Sequence, residues 1–235
     1  MTPPSLEPAF ILRSDRYVVM DKPCGWLSIP SRRGEDDARP CVGRWLEGAM
    51  GKRVFPVHRL DEPVSGLILF ALDADAHRVA NGWFEHGFVH KTYEAWSEAP
   101  RPGDAPPAGF DAPLPLPAQG QEVLWTSVLA KGKKRAYVEA KLGKKCLTMA
   151  KLVSAQGPYL RWELAPRTGR PHQLRFELFQ RGSPIVGDAL YGSRTPSDVG
   201  IALRAFRLDL RDCKEASALG LPQKVEVGGL PSPVR

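Results

Sequence analysis

The run GLILFAL, Gly66 to Leu72, carries no charged or hydrogen-bonding side chain over its length. Side chains of a strand alternate between two faces, so an apolar run without alternation reads as a strand covered on both. It is expected to be the central strand of a sheet with a layer packed on each side. It is far shorter than the ~20 residues of a membrane helix, and the proline-rich start lacks the charged-then-apolar order of a secretion signal. The expectation is therefore a soluble, cytoplasmic chain with no membrane association.

The surroundings of this run read as short elements. Ala9 to Leu12 and Tyr17 to Met20 look like strands, and Val42 to Met50 like a helix after a loop rich in glycine, proline and charge. Asp73 can cap a helix whose apolar residues Ala76, Val79, Ala80, Trp83 and Phe84 fall at helical spacing, with Gly87 as its stop. Phe88 to Trp96 resumes a strand pattern. From Ser97 to Gln121 the prolines remove backbone donors, so little regular structure is expected there. Ala136 to Leu142, Leu147 to Val153 and Tyr159 to Leu164 suggest an antiparallel meander. Pro171 suits the first turn of a helix running to Gly182, and Gly200 to Leu210 is a last strand candidate. Adjacent strands with few helices favour an α+β class over regular βαβ alternation. The expected layout is one domain over 1–235, with a core of about 10–212, a proline-rich insert at 97–121 and a patternless tail at 214–235.

At 43% apolar and 25% charged residues the chain is neither disordered nor fibrous. Its net charge of +7 favours a polyanionic partner: RNA, DNA or an anionic surface. The four scattered cysteines, Cys24, Cys41, Cys146 and Cys213, suit neither a zinc site nor a disulfide scaffold and read as reduced thiols. His86 and His90 stand four apart, but Gly87 lies between them and no carboxylate set follows, so no metal is expected. No phosphate-loop or dinucleotide fingerprint occurs, so no nucleotide cofactor is expected.

Two segments carry chemistry. PVHRLDEPVSG sets His58, Arg59 and Asp61 just ahead of the apolar run. A carboxylate held beside arginine stays ionised and can act as nucleophile or base, although Arg59 and Asp61 equally suit a structural ion pair. RTGRPHQLRFEL gathers Arg167, Arg170, His172 and Arg175 about a helix start, in outline a phosphate or carboxylate clamp, or else a solvated basic helix. Lys131, Lys133, Lys134, Arg135, Lys144 and Lys145 form a basic stretch near Trp125 and Tyr137 that could track an RNA backbone or be a solvated hairpin face.

In order along the chain, VMDKPCGWLSIP, PVHRLDEPVSGLILF, HKTYEAW, KKCLTMAKLV, RTGRPHQLRFEL, GDALYG and ALRAFRL resemble the motifs of the RluA family of pseudouridine synthases, from about Tyr17 to Leu208. The resemblance implies a pseudouridine synthase fold: a mixed, mainly antiparallel central sheet, flanking helices and a central active-site cleft. It implies a cofactor-free isomerase acting on uridines of structured RNA, rRNA or tRNA. Asp61 takes the position of the catalytic aspartate, acting on the ring or on the sugar side. Arg59 resembles the arginine that fills the space of a flipped base, and Tyr93 the tyrosine that stacks on it. Arg175 resembles the arginine that pairs with the catalytic carboxylate. His58, Arg170, His172, Lys133, Lys134 and Arg135 are expected on the substrate side, with Lys22 and Trp26 in support.

Val64, Glu177 and Arg204 depart from the family pattern, which has threonine, histidine and histidine there. Neither the N-terminal RNA-binding domain frequent in the family nor an oligomer is expected. Two other readings remain: a non-catalytic RNA-binding or RNA-folding protein, and a hydrolase using Asp61 with His58 or His172.

Overall fold

A computed structural model describes residues 7–31, 34–132, 136–138, 143–197 and 200–233. In chain order the elements are β1 (Ala9–Arg13), β2 (Tyr17–Lys22), α1 (Val42–Met50), β3 (Phe55–Pro56), β4 (Ser65–Ala71), α2 (Ala74–Glu85), β5 (His90–Glu98), β6 (Glu122–Lys131), β7 (Ala136–Val138), β8 (Lys144–Gln156), β9 (Tyr159–Pro166), α3 (Gln173–Phe179), β10 (Leu203–Asp209) and β11 (Lys224–Glu226). Mixed strand pairing with three α-helices is the α+β class expected from the sequence. The chain divides into two compact units. One comprises the residues up to Lys91 with Arg204–Gly228; the other comprises Thr92–Leu203 with the segment from Gly229.

In the first unit the strand order is β1-β2-β4-β10, with β11 on β10 and β3 on β4. Neighbours are antiparallel except β4 and β10, which run parallel. All seven residues of β4 are buried, and the period of two sorts them. Leu67, Leu69 and Ala71 pack with Ala76, Ala80 and Trp83 of α2. Ile68, Phe70 and the following Leu72 pack with Val42 and Leu46 of α1. Each fully buried leucine or phenylalanine is worth about 1.5–3 kcal/mol, so no position in this run has a face that would accept a polar side chain. α2 starts where the sequence predicts: Asp73 accepts the Ala76 amide at 2.8 Å, and Arg16 fixes the carboxylate with hydrogen bonds of 2.9 and 2.6 Å. Cys213, Ala216, Leu221 and Val225 are buried in the same core as α2, and β11 pairs with β10. These apolar residues follow neither a helical nor a strand period, so no local signal marks them.

The second unit is an antiparallel sheet ordered β5-β9-β8-β6-β7. β6 is absent from the sequence-based expectation because its pattern is scrambled: Leu124 points outward, 54% exposed, while Ser127 turns inward to a buried carboxylate. Consequently β7 pairs with β6, and β6 separates it from β8; residues 139–142 of the expected strand lie outside the described residues. The proline-rich 99–121 segment has neither helix nor strand. It is held by the amides of Leu114 and Gly120, donated to Gln180 O and Leu152 O. α3 is shorter than expected at both ends. Pro171 lies in the turn ahead of it, because His172 adopts a left-handed φ of 57°. The buried Gln173 side chain then ties the turn to β8, accepting from Thr168 and Arg170 and donating to Leu147 O and Thr148. Gly182, at φ 66°, reverses the chain beyond the last turn.

Candidate active site

Asp61 stands in the connection between β3 and β4, where the Val64 amide donates to Asp61 O at 3.1 Å and closes a turn. The residues on both sides of it are gripped by the loop after β2. Ser28 Oγ donates to Leu60 O at 2.8 Å and accepts from Leu60 N at 2.9 Å. Glu62 O accepts from Gly25 N at 3.0 Å and from Lys22 Nζ at 2.9 Å. Lys22 is fully buried, and its ammonium also donates to Pro23 O and Trp26 O at 3.0 and 2.7 Å. Burial pushes its pKa down to about 8, against the upward pull of Cys24, Glu62 and Asp61. Arg39 Nη1 pairs with the Glu62 carboxylate at 2.5 Å while its other donors hold Asp37. Lys22, expected in support, together with Gly25 and Ser28 of the following loop, is therefore the frame on which the Asp61 turn is built.

His58 faces β4. Its Nε2 accepts the Leu69 amide at 3.1 Å, and its ring stacks on Phe84 with centroids 4.7 Å apart. Arg59 is exposed. Burial, with the Lys91 charge adding to it, pushes the His58 pKa down to about 3. The unfolded chain takes a proton on this ring below about pH 6.5, and the folded chain takes it only near the depressed value. Stability is thus expected to fall as pH drops through that window, by at most about 1.4 kcal/mol per pH unit. Urea titrations of wild type and His58→Gln test this: the variant should lose about one proton's worth of slope, and an unchanged slope would refute it.

At the other end of this turn, Arg204 on β10 donates to Asp21 Oδ2 of β2 at 2.6 Å and to Gly228 O at 2.7 Å. β4 lies between those two strands. Arg204, one of the departures from the family pattern, therefore ties β2 to β10 beside the start of β4.

In the second unit Tyr93 lies on β5 opposite Leu164 and is 8% exposed. Arg175 is buried in α3 and forms a two-pronged ion pair with Asp188, at 2.6 and 2.7 Å, with its guanidinium 5.1 Å from the Tyr191 ring. Tyr191 hydroxyl also meets His172 Nδ1 at 3.0 Å and accepts Ala136 N at 2.9 Å. Asp188 and Tyr191 belong to the GDALYG motif, whose spacing by itself points to no role for either residue. Arg170 Nε reaches Lys145 O at 3.4 Å, and Lys144 and Lys145 are exposed on β8. Lys133, Lys134 and Arg135 lie outside the described residues. His86 bonds to Gly82 O and His90 to Asp212. No group of three metal-ligating side chains occurs among the described residues. All four cysteines are free thiols, and no helix among the described residues is long and apolar enough to cross a membrane.

Comparison with known proteins agrees with the motif order. The sequence pattern of the family described as RNA pseudouridylate synthase matches residues 16–180. The tRNA pseudouridine synthase C of Haemophilus ducreyi is 32% identical over 201 residues, covering 80% of this chain and 75% of its own. That of Vibrio cholerae is 31% identical over 207 residues, covering 84% and 77%. The solved structure of human RNA Pseudouridylate Synthase Domain Containing 1 shares the fold, with a TM-score of 0.67 at 22% identity over 99% of this chain and 87% of that one. The chain belongs to the RNA pseudouridylate synthase family, and it is an isomerase that converts uridine to pseudouridine in RNA.

Proposed function

We propose that the substrate is tRNA, in the cytoplasm, and that Asp61 is the catalytic carboxylate. In the isomerisation the bond between uracil N1 and ribose C1′ breaks and a bond from C5 to C1′ forms. C5 loses its hydrogen to solvent and N1 gains one, so mass and length are unchanged and no redox partner is needed. A carboxylate serves this sequence by adding to the ring or by assisting cleavage at the sugar, provided that it is ionised and rigidly held. The observation that supports the reading is the double grip on Leu60 and Glu62, which restrains the chain on both sides of Asp61. Arg59, exposed two residues before it, suits insertion into the space of an extruded base. By its motif Tyr93 is carried as the ring-stacking residue, and His58, Arg170 and His172 as substrate-side residues; Arg175, whose motif suggests carboxylate pairing, has its guanidinium on Asp188. The tRNA assignment is supported by the names of relatives that match over most of the chain.

Release of tritium from uracil C5 tests both parts. Wild-type protein should release it from tRNA transcripts and not from rRNA fragments, and Asp61→Asn should be slower by at least about 10³-fold. Turnover retained by Asp61→Asn would remove the catalytic assignment. Release from rRNA alone would remove the tRNA assignment.

A further inference from the structure

We propose that Ser28 is a positioning residue for Asp61, acting through the Leu60 peptide groups. The inference rests on the assignment of Asp61 as the catalytic carboxylate. Ser28 is 4% exposed, and its single hydroxyl serves both backbone groups of Leu60, donating to the carbonyl and accepting from the amide. Leu60 is itself buried, so water does not replace these partners without entering the core.

Ser28 is in turn fixed from behind. Its carbonyl accepts the Gly43 amide at 3.3 Å, and the preceding Leu27 carbonyl accepts the Val42 amide at 2.9 Å. These are first-turn donors of α1, whose N-cap Cys41 provides no side-chain cap. A rigid line therefore runs from the start of α1 through the Ser28 hydroxyl to the peptide preceding Asp61.

Lys22 and Gly25 hold only the Glu62 side of the turn. Without the Ser28 hydroxyl the Leu60 peptide can rotate, and the carboxylate attached to the next residue swings with it. A displacement on the order of 1 Å at a reacting group is enough for about a 10²-fold loss in rate. Ser28 touches no substrate in this role, so RNA affinity should be untouched.

The test is single-turnover and steady-state tritium release by Ser28→Ala, Ser28→Cys, Asp61→Asn and Ser183→Ala, each below its own melting temperature. Ser183 is a buried hydroxyl in the second unit that donates to Glu98 O; its loss controls for general destabilisation. Ser28→Ala is expected to lower kcat by roughly 10- to 100-fold with KM within about twofold. Ser28→Cys, which keeps a weak donor of similar size, should fall between it and wild type and serves as the readout if the alanine variant does not fold. Ser183→Ala should melt earlier with kcat within about twofold. If Asp61→Asn is inactive and both Ser28 variants turn over like wild type, or lose rate only as much as Ser183→Ala, positioning by Ser28 is wrong while the catalytic assignment stands. If Asp61→Asn stays active, the catalytic assignment fails, and this inference with it.

Discussion

Gly66→Ala is expected to be the most destabilising small substitution in the first unit, by more than about 4 kcal/mol. Gly66 has φ 113°, a conformation that side-chain-bearing residues rarely adopt. The strain is compounded by crowding: a Cβ there would lie 2.2 Å from Ala205 O and 2.7 Å from Ala205 C and N. Those atoms are backbone of β10, paired in parallel with β4 at Ala205 and Gly66, so no side-chain rotation relieves the clash. The strands would have to separate where Arg204 ties β10 to β2. Against a typical total stability of about 5–15 kcal/mol, such a loss leaves little folded protein. Gly48→Ala provides the contrast. It is exposed in α1 with nothing within 4 Å of its Cβ position, and alanine there should be neutral or stabilising by up to about 1 kcal/mol. Urea denaturation of the two variants decides; a Gly66→Ala midpoint close to wild type would refute the close approach of β4 and β10.

The second large effect is expected at Glu177, one of the positions where the sequence departs from its family. Its carboxylate is fully buried on α3 and accepts from Ser127 Oγ, from Gln180 Nε2 at 2.5 Å and from Arg181 Nη1 at 2.7 Å. Arg181 donates also to Glu177 O at 2.6 Å and lies 3.7 Å over the Trp125 ring. Burial lowers the Arg181 pKa, against the upward pull of the Glu177 charge and hydrogen bond. Glu177→Leu would strand this cation and is expected to cost about 3–5 kcal/mol. Glu177→His, which restores the residue of the resembling family, should also destabilise, because Ser127, Gln180 and Arg181 all present donors to an acidic partner. Replacing both members, Glu177→Leu with Arg181→Met, should recover most of the loss, since a well-packed apolar pair often matches a buried ion pair. Thermal or urea unfolding of Glu177→Leu, Arg181→Met and the double variant tests this. Additive losses would show that the two side chains do not act as a pair.

The sequence was legible where local physics decides. β4 follows from an unbroken apolar run, and α2 from a capping aspartate and helical spacing. Asp61 was legible as a candidate because its flanking motif is a combination of residue types rather than a single letter. Legibility failed where a residue answers to a distant partner. β6 is hidden in the sequence because Ser127 points inward to Glu177 and Leu124 outward, which destroys the alternation that marks a strand. The α3 start lies beyond Pro171 because Gln173 directs its side chain to Thr168, Arg170 and β8. Asp188, which holds Arg175, and Ser28, which holds Leu60, showed no spacing that points to those roles.

By itself, then, the sequence determined the elements with their own periodicity and caps, the α+β class and the motif that singles out Asp61. Tertiary structure alone decided the strand order that sets β10 beside β4, the burial of the tail against α2, and the grip of the β2 loop on both neighbours of Asp61. The division has a physical cause. Caps and periods are interactions between residues a few positions apart, whose geometry the backbone dictates. By contrast, the Ser28–Leu60 and Asp21–Arg204 pairs span 32 and 183 positions. Such pairs form only after chain closure, whose entropy is offset by the whole core rather than by the residues that meet.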